Sequence, residues 1–274
     1  MIHGLRLRQI GPHLAIASGT VFGSYLLAIY VDSKNTTINH KISQYLDLSP
    51  RRTVKYSESN SLIENIQNFW QKSRQSQKTI YTLIAANSAI FLAWRIPALS
   101  LYLNRYFLHS INSHPLSMLG SIFSHKSLVH LGFNMLALNS FGTFLHEKMG
   151  REQFIAFYIS SGMSSSLTSH IYKSFYRNYT PSLGASGAIF GVVGGCAHFP
   201  ELKVSLIFLP IHSVPISQAL PAMMGIDALG LLLGWKVFDH AAHLGGSLFG
   251  YSLYPFSQTK LWKNRKEIQR YLRF

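Results

Sequence analysis

Apolar stretches without a charged residue recur along the chain. Each is close to the roughly 20 residues that a membrane-spanning helix needs, so the pattern predicts a polytopic membrane protein. A further apolar stretch begins after Lys78 and runs past Arg95 toward Leu103. The uncharged stretches lie between Arg8 and Asp32, Lys126 and Glu147, Glu152 and Lys173, Arg177 and Glu201, Lys203 and Asp227, and Asp239 and Lys260.

The predicted fold class is an all-α membrane protein with a six-helix core preceded by one extra N-terminal transmembrane helix, seven in total. We number the core helices one to six. The extra helix is expected at about 12–31, and the core helices at about 79–103, 127–146, 152–172, 185–199, 216–236 and 240–256.

Changes in polarity divide the chain into four segments. The second is rich in Ser, Asn, Gln and Lys, and its stretch "SLIENIQNFWQK" is expected to be partly helical. The segments are an N-terminal basic segment with the first transmembrane helix at 1–31, a polar linker at 32–78, the core at 79–258 and a basic C-terminal tail at 259–274.

Two connections in the core are unusual. Residues 104–126 form a long, semi-apolar loop that is expected to lie in the membrane interface. Residues 200–215 contain too many prolines for a helix and are too apolar to be fully solvated. Backbone of this kind at membrane depth must be buried in protein or line a watery cavity.

The net charge of +15 does not indicate a nucleic-acid partner, because the basic residues fall in connections and in the tail "WKNRKEIQR", where they face lipid headgroups.

The N-terminus contains Arg6 and Arg8, and the first acidic residue of the chain is Asp32. This basic, acid-poor character is typical of a mitochondrial presequence. A secretory signal peptide is the alternative, but its cleavage site would be poor. The single Cys196 excludes a disulfide framework and a CxxC metal site, and is expected to be a core residue.

Polar residues gather near the starts of core helices two, four and six. These three helices begin on the same membrane face, because an even number of crossings separates them. A shared site explains why polar side chains recur at one depth on one side. They are His130 and Asn134 on helix two, Ser186 on helix four, and His240 and His243 on helix six.

Small residues repeat every four positions on helices four and six, a spacing that lets membrane helices approach closely. If the two helices pack together, Ser186 and His243 meet near their N-terminal ends. The small residues are Gly187, Gly191 and Gly195 on helix four, and Ala242, Gly246 and Gly250 on helix six.

This pair has the chemistry of nucleophilic catalysis. A serine hydroxyl becomes an effective nucleophile when a base such as His243 takes its proton. The N-terminus of helix four, with Asn134 and His130, offers donors to an oxyanion, and Phe190 lies one turn after Ser186, where it can orient the imidazole. Taken alone, Ser186 also fits a helix cap and His243 an interhelical hydrogen bond.

The remaining polar residues are interpreted as structural. Asp239 lies near the membrane interface, and Asp227 lies in the middle of a predicted helix. Neither aspartate is a compelling third member of a catalytic triad, so the site is interpreted as a Ser–His dyad. His240 is expected to be structural or interfacial, His125 a loop anchor and His146 a helix-end residue. "HEKMG" at 146–150 lacks the second histidine of a zinc protease, and "GASGA" lacks the strand–turn–helix context of an α/β-hydrolase.

Three motifs in this order resemble the rhomboid intramembrane serine proteases: "HLGFNM" preceded by "FSH", "GASGAIFG" and "DHAAHLGG". The resemblance covers roughly residues 79–270. The extra first helix, with "GREQFIAFYISSG", "PSLGASGA", "GWKVFDHAAHLGG" and "LWKNR", is similar to the mitochondrial presenilin-associated rhomboid-like branch.

The resemblance implies a six-helix core with a water-accessible cavity open to one face. It implies Ser186 as nucleophile, His243 as base, and Asn134 with the Ser186 backbone as oxyanion hole. His130 and Gly184 are auxiliary positions by the same resemblance. Phe190 stands where bacterial relatives have a tyrosine that stacks on the histidine, so the ring is kept and the hydroxyl lost.

The implied function is hydrolysis of peptide bonds in or near transmembrane segments of membrane-anchored proteins, with no metal or organic cofactor. The implied location is the mitochondrial inner membrane, with another cellular membrane as the alternative. Single-spanning inner-membrane proteins are the expected substrates, and association with other inner-membrane proteins is expected. An inactive relative that binds and retains membrane clients is the alternative function, although such relatives usually lose the serine or the histidine. A small-solute transporter would show internal repeats, and none is found.

Overall fold

The structure, a computed structural model, describes residues 2–46, 62–206 and 209–273. A 3₁₀ turn at Pro97–Leu99 lies between α3 and α4, and a π-helical segment at Leu138–Gly142 joins α6 to α7. The helices of the first half are α1 Ile2–Leu46, α2 Leu62–Lys72, α3 Gln75–Ala93, α4 Ser100–Tyr106, α5 Ser117–Ser121, α6 Leu128–Ala137 and α7 Thr143–Met149.

The second half of the chain contains the central helices. A π-helical segment at Ser257–Trp262 continues α11 toward α12. The elements are α8 Arg151–Tyr176, α9 Ser186–Cys196, β1 Lys203–Leu206, β2 Leu209–Pro215, α10 Ile216–Leu232, α11 His240–Phe256 and α12 Arg265–Tyr271.

Helix α9 lies at the centre of the core and packs between α8 and α11. Its residues are almost entirely buried, and the free Cys196 is among them. Glycines form the seam between α9 and α11. A Cβ atom on Gly246 would collide with the carbonyl of Gly187, and one on Gly250 with the carbonyl of Gly191. Main-chain atoms of the two helices are therefore in direct contact.

The expected single helix at 79–103 is wrong. Helix α3 ends at Ala93, and the chain then bends by 101° before Pro97–Tyr106. Pro97 explains the break, because a proline lacks the donor that would continue the helix and disfavours helical backbone at the residue before it. Part of the loop expected at 104–126 is also helical, in α4 and α5.

Among the described residues, two helical spans are long and apolar enough to cross a membrane, Ile10–Ile38 and Leu128–Met149. A third is reached if the bent pair Gln75–Ala93 and Pro97–Tyr106 is one span. The fold is therefore mainly helical and of membrane type, while the total of seven crossings stays a prediction.

The N-terminal helix extends beyond the segment boundary placed at residue 31. Residues 32–46 continue α1, because this stretch contains no proline or glycine that would end the helix. Asp32 accepts a hydrogen bond from Arg265 of α12 at 3.0 Å. Helix α1 packs along α8, where Ser24 and Ser160 share a hydrogen bond of 3.0 Å. The predicted helix in "SLIENIQNFWQK" corresponds to α2, and residues 47–61 lie outside the described residues.

An antiparallel hairpin occupies most of the 200–215 connection, so the fold is not purely α. Strands β1 and β2 pair Lys203 with Pro215 and Val204 with Val214, and a bulge lies at Ser205–Leu206. Prolines at both ends of β2 are incompatible with a helix interior, and strand pairing satisfies backbone groups that a loop would leave open.

Candidate active site

Ser186 is the first residue of α9, at the end of a tightly held turn. Gly184 has a positive φ of 127°, which an L side chain rarely adopts, and its N–H donates to the Ser121 carbonyl at 2.9 Å. A Cβ atom on Gly184 would lie 2.6 Å from Cε1 of His130. The glycine therefore lets the turn approach the His130 side chain and presents Ser186 at the helix N-terminus.

His243, on the first turn of α11, meets Ser186 across 57 positions of sequence. Its Nε2 lies 3.1 Å from the Ser186 Oγ. The Phe190 ring stacks on the imidazole at 4.2 Å between centroids with an interplanar angle of 8°. The structure thus brings together the serine, the histidine and the aromatic ring that the sequence motifs single out.

Asp227 of α10 extends this pair to a third group, which differs from the dyad read from the sequence. Its Oδ1 lies 3.1 Å from Nδ1 of His243, and the carboxylate is buried. An ionised carboxylate only accepts hydrogen bonds, so Nδ1 of His243 is the donor. Nε2 of His243 then carries the lone pair, and it faces the Ser186 hydroxyl.

His240 also contacts this carboxylate, which sequence reasoning missed. Its Nδ1 lies 2.7 Å from the Asp227 Oδ1, so this one oxygen accepts hydrogen bonds from both His240 and His243. Among the described residues the buried Nε2 of His240 has no hydrogen-bond partner. The available signal was an acid in an apolar stretch: such an acid is usually paired, and "DHAAH" carries two histidines three positions apart.

Asn134 and His130 lie beside the Gly184 turn. The Asn134 Nδ2 lies 2.7 Å from His125 Nε2, and the same ring nitrogen is 3.4 Å from the Ala185 N–H. His125, the expected loop anchor, therefore accepts both bonds. Burial and the nearby His130 lower the pKa of His125 to about 4, which keeps that lone pair available. Among the described residues, His125 is the hydrogen-bond acceptor found for the Asn134 amide.

A cleft of about 290 Å³ opens beside Ser186. Ser186, His243 and His130 lie on its wall, together with Trp235 and Phe238. The cleft is polar where the reactive atoms lie and aromatic at its rim, and Trp235 and Phe238 are exposed. A polypeptide segment could therefore reach the serine from outside the bundle.

Asp239 forms hydrogen bonds both to the segment before Ser186 and to the N-terminus of α11. It lies four residues before His243 and accepts hydrogen bonds from Ser182 at 2.6 Å and Lys173 at 2.7 Å. It also accepts from Ser169 at 2.7 Å and caps α11 through the Ala242 N–H at 3.2 Å. Burial raises the pKa of Asp239, but the Lys173 ammonium and the hydrogen bonds outweigh it and lower the pKa to about 2. One carboxylate thus connects the segment before Ser186 to the helix of His243.

Comparison with known proteins assigns the chain to a family. The family model of the Rhomboid domain matches residues 112–257, which is more than half of the chain. The chain belongs to the rhomboid family. Every group of the geometry above lies inside the matched region.

Individual relatives narrow the assignment within the rhomboid family. The presenilin-associated rhomboid-like protein, mitochondrial, of Rattus norvegicus is 37% identical over 257 residues, covering 92% of this chain and 67% of the relative. Rhomboid protein 1, mitochondrial, of Saccharomyces cerevisiae is 38% identical over 200 residues, covering 71% and 58%. The rhomboid protease GluP of Bacillus subtilis is 31% identical over 134 residues, covering 49% and 24%.

These relatives confirm the resemblance seen in the motifs and place this rhomboid in the mitochondrial presenilin-associated rhomboid-like branch. Rhomboids are generally serine intramembrane proteases, so the class is that of a membrane-embedded protease family. The expected mitochondrial membrane location agrees with relatives whose names are mitochondrial.

Proposed function

We propose that this rhomboid is an intramembrane serine endopeptidase that cleaves peptide bonds in or near transmembrane segments of membrane-anchored proteins. The observation that carries the proposal is the 3.1 Å contact of the Ser186 Oγ with His243 Nε2, continued at 3.1 Å from Nδ1 to Asp227. A hydroxyl, a base and an orienting carboxylate in this order form the arrangement that activates a serine nucleophile.

In the first step, His243 takes the proton of the Ser186 hydroxyl as the oxygen attacks the substrate carbonyl. Asp227 stabilises the imidazolium and holds its ring orientation. The imidazolium then gives the proton to the leaving amine, and the C–N bond breaks to leave an acyl-enzyme. Water, deprotonated by the same imidazole, releases the acyl group and restores the serine. These steps use side chains and water alone.

The developing oxyanion is stabilised at the N-terminus of α9. The main-chain N–H of Ser186 and the positive end of the helix dipole face the position that it would occupy. The amide N–H of Asn134 is the proposed side-chain donor, and His130 is an auxiliary donor across the cleft. Gly184 keeps the space beside His130 open.

The substrate segment has to present an open backbone, because the carbonyls of a helix are already hydrogen-bonded. We therefore propose membrane-anchored proteins of the mitochondrial inner membrane as substrates, with other inner-membrane proteins as associates. The division into an N-terminal helix, a linker, a core at 79–258 and a tail belongs to the same proposal.

The test is Ser186→Ala in the full chain, reconstituted with a reporter protein that carries one transmembrane segment. Cleavage is expected to disappear, and labelling of wild-type protein by a fluorophosphonate probe is expected to map to Ser186. Ser252→Ala, an exposed serine on α11, is the matched control and should keep full cleavage. Cleavage that persists in Ser186→Ala would overturn the proposal, and wild-type protein that is neither labelled nor active would favour a client-binding role.

A further inference from the structure

Three buried histidines outside the catalytic cleft meet where the N-terminal helix joins the core. His13 comes from α1, His109 from the connection between α4 and α5, and His170 from α8. One ring nitrogen of each lies within 4.8 Å of those of the other two. We call these residues the three-histidine cluster. None of them takes part in the proposed reaction.

Neighbouring groups set the protonation of His109. The Ser117 hydroxyl donates its proton to the His114 carbonyl at 2.6 Å. Its oxygen can therefore only accept from Nδ1 of His109, 2.8 Å away. Nδ1 of His109 thus carries the ring proton and Nε2 carries a lone pair. A hydrogen bond from the second ring nitrogen to a protein acceptor is what orients metal-binding histidines.

His13 has the same kind of support. Its Nε2 lies 3.2 Å from the Ser113 carbonyl, which can only accept, so Nδ1 of His13 carries the lone pair. His170 completes the cluster, with its Nδ1 3.1 Å from Nε2 of His109. Two nitrogen ligands of one tetrahedral zinc ion, at bonds of about 2.0–2.1 Å, lie about 3.3 Å apart. The spacing of His109 and His170 already fits such a pair.

The hydrogen bonds above leave a lone pair on His109 and on His13, and a metal ion binds a histidine through such a lone pair. Burial, together with the neighbouring His170 and His13, lowers the pKa of His109 to about 3. Lys173 and Asp239 also act on His109, in opposite directions. The ammonium and the carboxylate are paired with each other at 2.7 Å, so the effects of their charges on an ion bound at the cluster nearly cancel.

We propose that His13, His109 and His170 form a Zn²⁺ site that fastens the N-terminal helix to the protease core. Three imidazoles without a thiolate suit zinc, with water as the fourth ligand. The ion replaces the proton shared by His170 and His109, and the His170 ring then carries its proton on the other nitrogen. His13 stacks on His170 at 3.8 Å between centroids, so its ring has to rotate away from that face as the ion enters.

The experiment measures zinc on the purified full chain. The protein in detergent is stripped with a chelator, dialysed against Zn²⁺ and analysed by mass spectrometry for bound metal. We expect about one ion per chain for the wild type and at least tenfold weaker binding for His13→Gln and His170→Gln. Zinc should also raise the melting temperature of the wild type and leave that of His13→Gln unchanged. Co²⁺ substitution should give tetrahedral absorption bands in the wild type alone.

His240→Gln is the matched control, because Asp227, His240 and His243 form a second buried cluster with ligand atoms within 4.8 Å. This variant should still bind one ion. Loss of zinc in His240→Gln with retention in His13→Gln would overturn the proposal by placing the ion at the catalytic cluster. A wild-type protein without stoichiometric zinc would overturn it as well. Fluorophosphonate labelling of stripped His13→Gln and His170→Gln reports whether the core is folded, so loss of metal through misfolding is recognised, and Co²⁺ bands in the wild type then decide the proposal.

Discussion

Among the residues that the structure describes, two clusters of buried histidines differ in what their second ring nitrogen contacts. In the catalytic cluster, His240 and His243 both donate to the Asp227 carboxylate, and one lone pair is left facing a serine hydroxyl in a cleft. In the three-histidine cluster the acceptors are a serine oxygen and a carbonyl, and the lone pair of His109 faces a ring nitrogen of His170.

The hydrogen-bond partner of a buried histidine therefore decides its chemistry more than its burial does. A carboxylate stabilises the imidazolium, so His243 can accept a proton and pass it on. A neutral acceptor fixes the tautomer without stabilising a charge, so the three-histidine cluster favours a bound ion over a mobile proton.

Removal of the Asp227 carboxylate should lower the cleavage rate most. Asp227→Asn keeps the volume but loses the acceptor that fixes the His243 tautomer, and we expect the cleavage rate to fall by about 10³-fold. Asp32→Asn, at a carboxylate on α1 that pairs with Arg265, is the control and should change the rate little. The measurement is kcat on the reporter substrate. An unchanged rate in Asp227→Asn would show that the dyad suffices.

A smaller effect is expected at Asn134, the proposed oxyanion donor beside the Gly184 turn. Asn134→Ala removes the side-chain N–H and should lower kcat by about 10²-fold, the usual loss for one such donor, with KM nearly unchanged. The exposed Asn139, one turn further along the chain, provides Asn139→Ala as control. Equal activity of the two variants would remove Asn134 from the mechanism.

Asp239 lies between the two clusters, and its effect is on stability. Its folded pKa of about 2 lies below the ordinary 3.8, so the carboxylate stabilises the fold at all pH values above about 4. That contribution, about 2 kcal/mol, is lost as the pH falls toward 2. Asp239→Asn should therefore lower the melting temperature at pH 7 and make it less sensitive to acid between pH 4 and pH 2. A parallel acid response in variant and wild type would contradict this assignment.

The smallest effect concerns Phe190, whose ring stacks on His243. Phe190→Leu removes a stacking contact worth about 1 kcal/mol, so we expect roughly a fivefold loss in kcat. Phe190→Tyr keeps the ring and should stay close to wild type. The cleavage assay is run with both variants side by side. Equal losses in Leu and Tyr variants would indicate that shape, rather than stacking, matters at this position.

Much of the site follows from spacing along the chain. The small residues at 187, 191, 246 and 250 predict the α9–α11 seam, and they place Ser186 opposite His243. The role of Asp227 does not follow in this way, because the rotation of α10 about its axis relative to α11 is set by packing and leaves no period in the sequence.

The same limit applies to the three-histidine cluster. His13, His109 and His170 lie on segments far apart in sequence, and only the docking of α1 on α8 brings them together. The bend after Ala93, by contrast, had a local signal in Pro97, and the hairpin at 203–215 had one in its prolines. The prolines of 200–215 did exclude a helix there, whereas the apolar character of 79–103 outweighed the signal of Pro97.

The bare main-chain contact between α9 and α11 has a consequence for how this protein can change over time. Since carbonyl and Cα atoms, rather than side chains, set the gap between the two helices, mutations on their outward faces do not alter the distance between the reacting oxygen and nitrogen. The outer surfaces can therefore change with the surrounding lipids while the spacing of Ser186 and His243 is kept.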